Sequence, residues 1–72
     1  MLVRSESEMR VLVKDVSKCG MGLLVHEQLF PEERISVHFM GRRALATVVR
    51  CRRLGKRCYE CGAKLVSFES DE

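Results

Sequence analysis

The sequence predicts an all-β domain, and three observations carry that prediction. Apolar residues recur at alternate positions, as Ile35, Val37 and Phe39 do against Ser36, His38 and Met40, which is the two-residue period of a half-buried strand. The apolar runs are rich in β-branched residues, Val11, Val13 and Val16 among them, which suit a pleated surface better than a helical one. Short stretches containing Gly20, Pro31, Gly41 and Gly55 separate the runs, and such residues end strands and form turns.

Size and charge bound the function. A chain of 72 residues holds one domain with a small core, so a second copy in a homodimer or a host chain is expected to help stabilise it. Hydrophobic residues make up 46% of the chain, which places it among globular domains and not disordered ones. A net charge of +3 suits an anionic ligand but falls short of the footprint of a dedicated DNA or RNA binder. The chain has no apolar run approaching the roughly 18 residues that span a bilayer and no signal-peptide core at its start, so no membrane insertion and a cytoplasmic location are expected.

Taken in order, positions 1–10 place short apolar ends around Ser5-Glu6-Ser7-Glu8, which predicts a first strand, a polar turn and the start of a second strand. A capping box of Ser5 with Glu8 would instead open a helix through Val13, and the valines weigh against it. The second strand spans 9–16, with Val11 and Val13 on one face and Leu12 on the other, the pattern of a strand that also packs a partner on its outside. After a bend at 15–20, Met21-Gly22-Leu23-Leu24-Val25 forms the next strand. Positions 26–34 are the longest polar connection, in which Pro31 holds Phe30 extended and Glu32-Glu33-Arg34 turns into the strand at 35–40. Gly41-Arg42-Arg43 is expected to turn the chain into the longest strand, 44–53, with Leu45, Val49 and Cys51 on one side and Ala44, Ala46 and Val48 on the other. Leu54-Gly55-Lys56 reads as a hairpin built on glycine, 57–68 as its return strand, and 69–72 as a frayed acidic tail outside the 1–68 domain.

The bend is the stretch most open to a functional reading. Asp15-Val16-Ser17-Lys18-Cys19-Gly20 places an acceptor, a donor and a permissive backbone point in one tight connection. Asp and Ser also bond readily to their own backbone, so the same hexapeptide reads equally as a plain hairpin turn. Its order of flanking strands resembles that of a PilZ domain, the small β-barrel family whose members often bind the bacterial second messenger cyclic di-GMP. Asp15, Ser17 and Gly20 match the family's Asp/Asn-x-Ser-x-x-Gly motif, and the stretch from Tyr59 through Gly62 to Val66 is similar to its last strand. The resemblance covers the chain from about Met9 to Phe68. It implies a six-stranded antiparallel PilZ-like β-barrel whose mouth Leu29 and Phe30 would plug. It further implies that Asp15 accepts from a guanine edge, that Ser17 bonds the same nucleotide, and that Gly20 lets the backbone approach. The implied role is a bacterial signalling module that binds cyclic di-GMP and relays it to another protein or domain, with no cofactor beyond that ligand.

The chain departs from the family in one respect. Dinucleotide-binding members usually carry Arg-x-x-x-Arg ahead of the first barrel strand, whereas here only fourteen residues precede Asp15 and Arg4 and Arg10 have five residues between them. No arginine is therefore carried over. Arginines of that kind supply bidentate phosphate contacts and stack on bases, so their lack implies either a natural chain that begins further upstream or a degenerate member. The alternative function is then a protein–protein interaction module that does not bind the dinucleotide.

Other constellations support less. His26 and His38 lack a carboxylate or cysteine at ligand spacing, so no metal site is expected. Arg42, Arg43, Arg50, Arg52, Arg53, Lys56 and Arg57 form a basic cluster expected at a hairpin tip. It reads as a charged, aggregation-blunting strand end, because only Tyr59 offers the stacking ring that single-strand binders need in numbers. Of the four cysteines, Cys58 and Cys61 have the spacing of half a zinc knuckle or a redox pair. An odd separation on one strand points them to opposite faces, which favours half-buried free thiols. With no glycine-rich phosphate loop and no nucleophile placed beside a base, no enzyme is expected and no catalytic residue is assigned.

Overall fold

A computed structural model describes residues 1–4 and 7–70 of the chain. Its described residues contain seven strands and no helix: β1 Leu2–Arg4, β2 Ser7–Met9, β3 Val11–Val16, β4 Gly20–Val25, β5 Arg34–Phe39, β6 Arg42–Gly55 and β7 Cys58–Ser70. All neighbouring pairs are antiparallel, in the order β2-β1-β5-β6-β7-β4-β3. The all-β expectation holds. The expected six-stranded closed barrel is corrected to one seven-stranded sheet whose edges do not pair.

Arg10 accounts for the difference. It alone separates β2 from β3, yet these strands lie on opposite edges of the sheet. The expected continuous strand over 9–16 therefore breaks there, and the sheet curls until its edges meet at that corner. Seven flat strands would span roughly 29 Å, more than either of the two shorter dimensions of the molecule, which measures 36 × 22 × 20 Å. The concave face is filled by Leu2, Met9, Met21, Leu23, Val25, Ile35, Val37, Ala44, Ala46, Val48, Cys61 and Ala63. Of the turn expected at 5–8, Ser5 and Glu6 lie outside the described residues while Ser7 and Glu8 belong to β2, and β1 and β2 pair as the expected hairpin.

Connections refine several expectations. In the segment between β4 and β5, Leu29 is fully buried whereas Phe30 is 54% exposed, so Leu29 alone plugs the core. The segment is held on β6 by Glu32, whose N–H donates to the Val48 carbonyl at 2.6 Å, and by Val48, whose N–H donates to the Glu33 carbonyl at 2.8 Å. It thus extends the ladder on β6 just ahead of Arg34, where β5 begins. Glu69 and Ser70, expected in a frayed tail, pair with Arg43 and Arg42 as part of β7, and Asp71 and Glu72 lie outside the described residues.

The hairpin turns sit elsewhere than expected. Met40-Gly41 forms the β5–β6 turn with φ of 52° and 70°, the double positive φ of a type I′ hairpin, while Arg42 and Arg43 already belong to β6. At the other end Gly55 closes β6, and Arg57, with φ 53°, takes the left-handed position expected of glycine. Met40 is 91% exposed and makes little use of its side chain, while a left-handed non-glycine residue costs about 1–2 kcal/mol. Asn tolerates that region better, so Met40→Asn is expected to raise stability by about 0.5–1 kcal/mol, read as a higher denaturant midpoint at unchanged slope.

Candidate functional site

The site grows from two β-bulges. In β3, Val13 pairs with Leu23 but Asp15 pairs with Gly22, leaving Lys14 as the extra residue. Strict alternation would send Asp15 inward with Val11 and Val13, which pack on the core. The bulge turns it outward instead, onto the face of Gly22. In β6, Val48 pairs with Ala63 but Arg50 pairs with Gly62, leaving Val49 extra. That second bulge turns Arg50 outward and Cys51 inward, so the expected grouping of Cys51 with Leu45 and Val49 is corrected: Cys51 packs on the core with Ala44, Ala46 and Val48.

Together the bulges place Asp15, Gly22, Gly62 and Arg50 in one row across β3, β4, β7 and β6 on the convex face. Side chains reach inward along that row over the two glycines. A Cβ at Gly22 would lie 2.9 Å from an Asp15 carboxylate oxygen, and one at Gly62 would lie 3.2 Å from Arg50 Nε. Since Gly22 and Gly62 are paired neighbours, the Asp15 carboxylate and the Arg50 side chain stand over adjacent strands on a floor of bare backbone. No ion pair joins them, and among the described residues neither has another ionic partner.

Beside the row lies an open groove of about 450 Å³ lined by Ser17, Gly20, Val49, Arg50, Gly62 and Lys64 among others. Its size falls within the range of small-molecule sites, ~300–1,000 Å³. Asp15 is not part of its lining and stands one strand away over Gly22. Lys64 opposes Gly20 across the β4–β7 ladder, which puts a second exposed cation on the groove.

The expected site residues sit as follows. Asp15 is exposed at the end of β3, and Ser17 opens the turn to β4. The Ser17 N–H donates to the Gly20 carbonyl at 2.8 Å and its hydroxyl donates to the same oxygen at 3.3 Å, so the plain turn reading describes Ser17 well. Gly20 allows a close approach between strands: a Cβ there would lie 2.7 Å from the Ala63 carbonyl oxygen. Sequence reasoning missed Gly22, Gly62 and Lys64 and left Arg50 within a general cluster. Only the strand pairings bring the four together.

The next row is a charge cluster that is already satisfied. Glu60 on β7 is bound by Lys14, the bulged residue of β3, and by Arg52 Nη2 at 2.8 Å. The Lys14 hydrogen bond and charge hold the Glu60 carboxyl below its ordinary value of 4.5, against an upward push from burial, and Arg52 adds smaller downward contributions. This contact is present at neutral pH and is lost only as pH falls through that lowered value. Lys14→Ala is expected to move the Glu60 titration upward, which side-chain carboxyl NMR would follow directly.

The expected basic cluster is dispersed along β6 and its turn. Arg43 pairs with Glu69, Arg42 stacks over the Phe68 ring at 5.5 Å, and Arg52 is held by Glu60. Only Arg53, Lys56 and Arg57 belong to the tip. His26 is exposed beside Glu27, while His38 lies within 3.3 Å of the Ser36 hydroxyl, so the two histidines share no site. Cys58 lies on the outward face of β7 and Cys61 on the inward face between Tyr59 and Ala63, as the odd spacing implied.

A second groove of about 470 Å³ on the convex face exposes Val3, Leu45 and Val66 beside Arg34, Ser36 and Thr47. No helix among the described residues is long and apolar enough to cross a membrane. No family model, curated protein or solved structure matches the chain.

Proposed function

We propose that the chain is a non-enzymatic, PilZ-like module that binds cyclic di-GMP on the convex face of its sheet and relays the signal to another protein or domain. The observation that carries this reading is the row in which two bulges aim Asp15 and Arg50 over paired glycines. Guanine offers donors on its Watson–Crick edge and acceptors at O6 and N7. A carboxylate suits those donors, and a guanidinium suits either O6 and N7 or a phosphate oxygen pair. The glycine floor lets the base approach the backbone, and Lys64 beside Gly20 supplies a cation for the phosphates. Arg50 and Lys64 thereby offer phosphate contacts of the kind that an Arg-x-x-x-Arg segment supplies in the family.

Isothermal titration of the chain with cyclic di-GMP at near-physiological salt tests this. Binding at micromolar affinity or tighter is the expected result. An absence of binding by calorimetry and by thermal shift overturns it. The second reading is then an interaction module without a dinucleotide ligand, docking a partner or a second copy. The exposed groove with Val3, Leu45 and Val66 favours that reading, because contiguous apolar surface marks contact sites.

A further inference from the structure

Cys51 and Cys61 are directly opposed across the β6–β7 ladder, one residue along from Arg50 and Gly62, with Sγ atoms 2.8 Å apart. Directly opposed residues of antiparallel strands have Cα atoms about 4.5–5.5 Å apart, inside the roughly 4.4–6.8 Å that disulfides require. The sulfurs need to close by under ~1 Å to reach the bond length of about 2.05 Å, and both strands are already in register. We propose that Cys51 and Cys61 are a modification site, a dithiol that closes reversibly to a cross-strand disulfide by exchange with a low-molecular-weight disulfide.

The other two thiols are placed differently. Cys19 is exposed in the β3–β4 turn. Cys58 opposes Gly55 and stands three residues from Cys61 along one strand, roughly 10 Å at ~3.3 Å per residue, too far for a bond. The pair thus departs from the Cys58–Cys61 spacing that the sequence alone brings forward.

The exchange has a defined order. Cys51 is half-buried and Cys61 is 1% exposed, so the reagent meets Cys51. The Cys51 thiolate attacks one sulfur of the reagent, forming a mixed disulfide and releasing one reagent thiolate. Cys61 then gives its proton to solvent, and its sulfur attacks the Cys51 sulfur and expels the second reagent thiolate. Two protein thiols are oxidised by two electrons and the reagent is reduced to two thiols. Burial, and next the Cys51 contact, push the Cys61 thiol up to about 12, so the closing step quickens with rising pH.

The test uses the 72-residue chain carrying Cys19→Ser and Cys58→Ser, which alters one exposed and one half-buried position and leaves the opposed pair. Incubation with oxidised glutathione should remove both titratable thiols, lower the intact mass by two hydrogens, leave a monomer and raise the melting temperature, all reversed by dithiothreitol. In the oxidised wild-type chain, tryptic fragments should join Cys51 to the 58–64 peptide, with fragmentation placing the link at Cys61. A stable glutathione adduct with Cys61 still free, a disulfide-linked dimer, or a link mapped to Cys58 overturns the proposal. So does a pair that resists oxidation while Cys51 still reacts with an alkylating reagent.

Discussion

Replacing Asp15 by Ala is expected to weaken cyclic di-GMP binding by roughly 10- to 100-fold while leaving the melting temperature essentially unchanged. A hydrogen bond to a charged group contributes about 1.5–3 kcal/mol, and every ~1.4 kcal/mol is a tenfold change in affinity. The fold should not notice the loss, because Asp15 is exposed, has no ionic partner among the described residues, and follows a bulge instead of filling the core. Arg50→Ala should act in the same direction for the same reason. Ser17→Ala should cost less, roughly two- to tenfold, because the hydroxyl already donates to the Gly20 carbonyl and a neutral hydrogen bond is worth only about 0.5–1.5 kcal/mol. Calorimetric titration of the three variants beside wild type gives the ranking directly. A Ser17 variant that loses more than the Asp15 variant would remove the outward carboxylate from the centre of the site.

That ranking also marks what could be read before the structure. The strands at 21–25 and 35–39 were legible, the first as an apolar run and the second from its imperfect alternation, because no bulge falls within either; Met40 went to the turn. Asp15, Ser17 and Gly20 were legible because they lie within six consecutive residues. Arg50 was not, because its facing depends on the bulge at Val49, and a bulge flips every later side chain without any glycine or proline to announce it. Leu45, Val49 and Cys51 look like one face only while the period is assumed unbroken. Lys14 hides the same event in β3, where an unbroken period would have buried Asp15. Gly22 and Gly62 share a row only because β4 pairs with β7, and that neighbour relation is long-range. The break at Arg10 was equally silent, since one ordinary residue carries the chain between opposite edges of a curled sheet. Turn chemistry misled at Met40 and Arg57, where tertiary pairing holds left-handed residues that local preference would have given to glycine.

The glycines of the site should separate stability from binding. Gly20→Ala is expected to destabilise the domain by about 1–3 kcal/mol, the range for forcing an extra methyl into a packed position. The obstacle is the Ala63 carbonyl oxygen, 2.7 Å from the added Cβ, and it belongs to the backbone of β7. Neither strand can yield without shifting the β4–β7 ladder, which also carries the Leu23–Cys61 pairing of the core. For a domain this small, that loss is a large share of a total near the low end of the ~5–15 kcal/mol range. Gly62→Ala meets a different neighbour, Arg50 Nε at 3.2 Å, the far part of a long side chain that can swing aside. Its stability should change by less than about 1 kcal/mol, while the guanidinium leaves the row and cyclic di-GMP affinity falls about as far as in Arg50→Ala. Urea unfolding and calorimetric titration of both variants read the two effects separately. A Gly62 variant that binds like wild type would show that Arg50 takes no part in the site, however well the bulge at Val49 aims it.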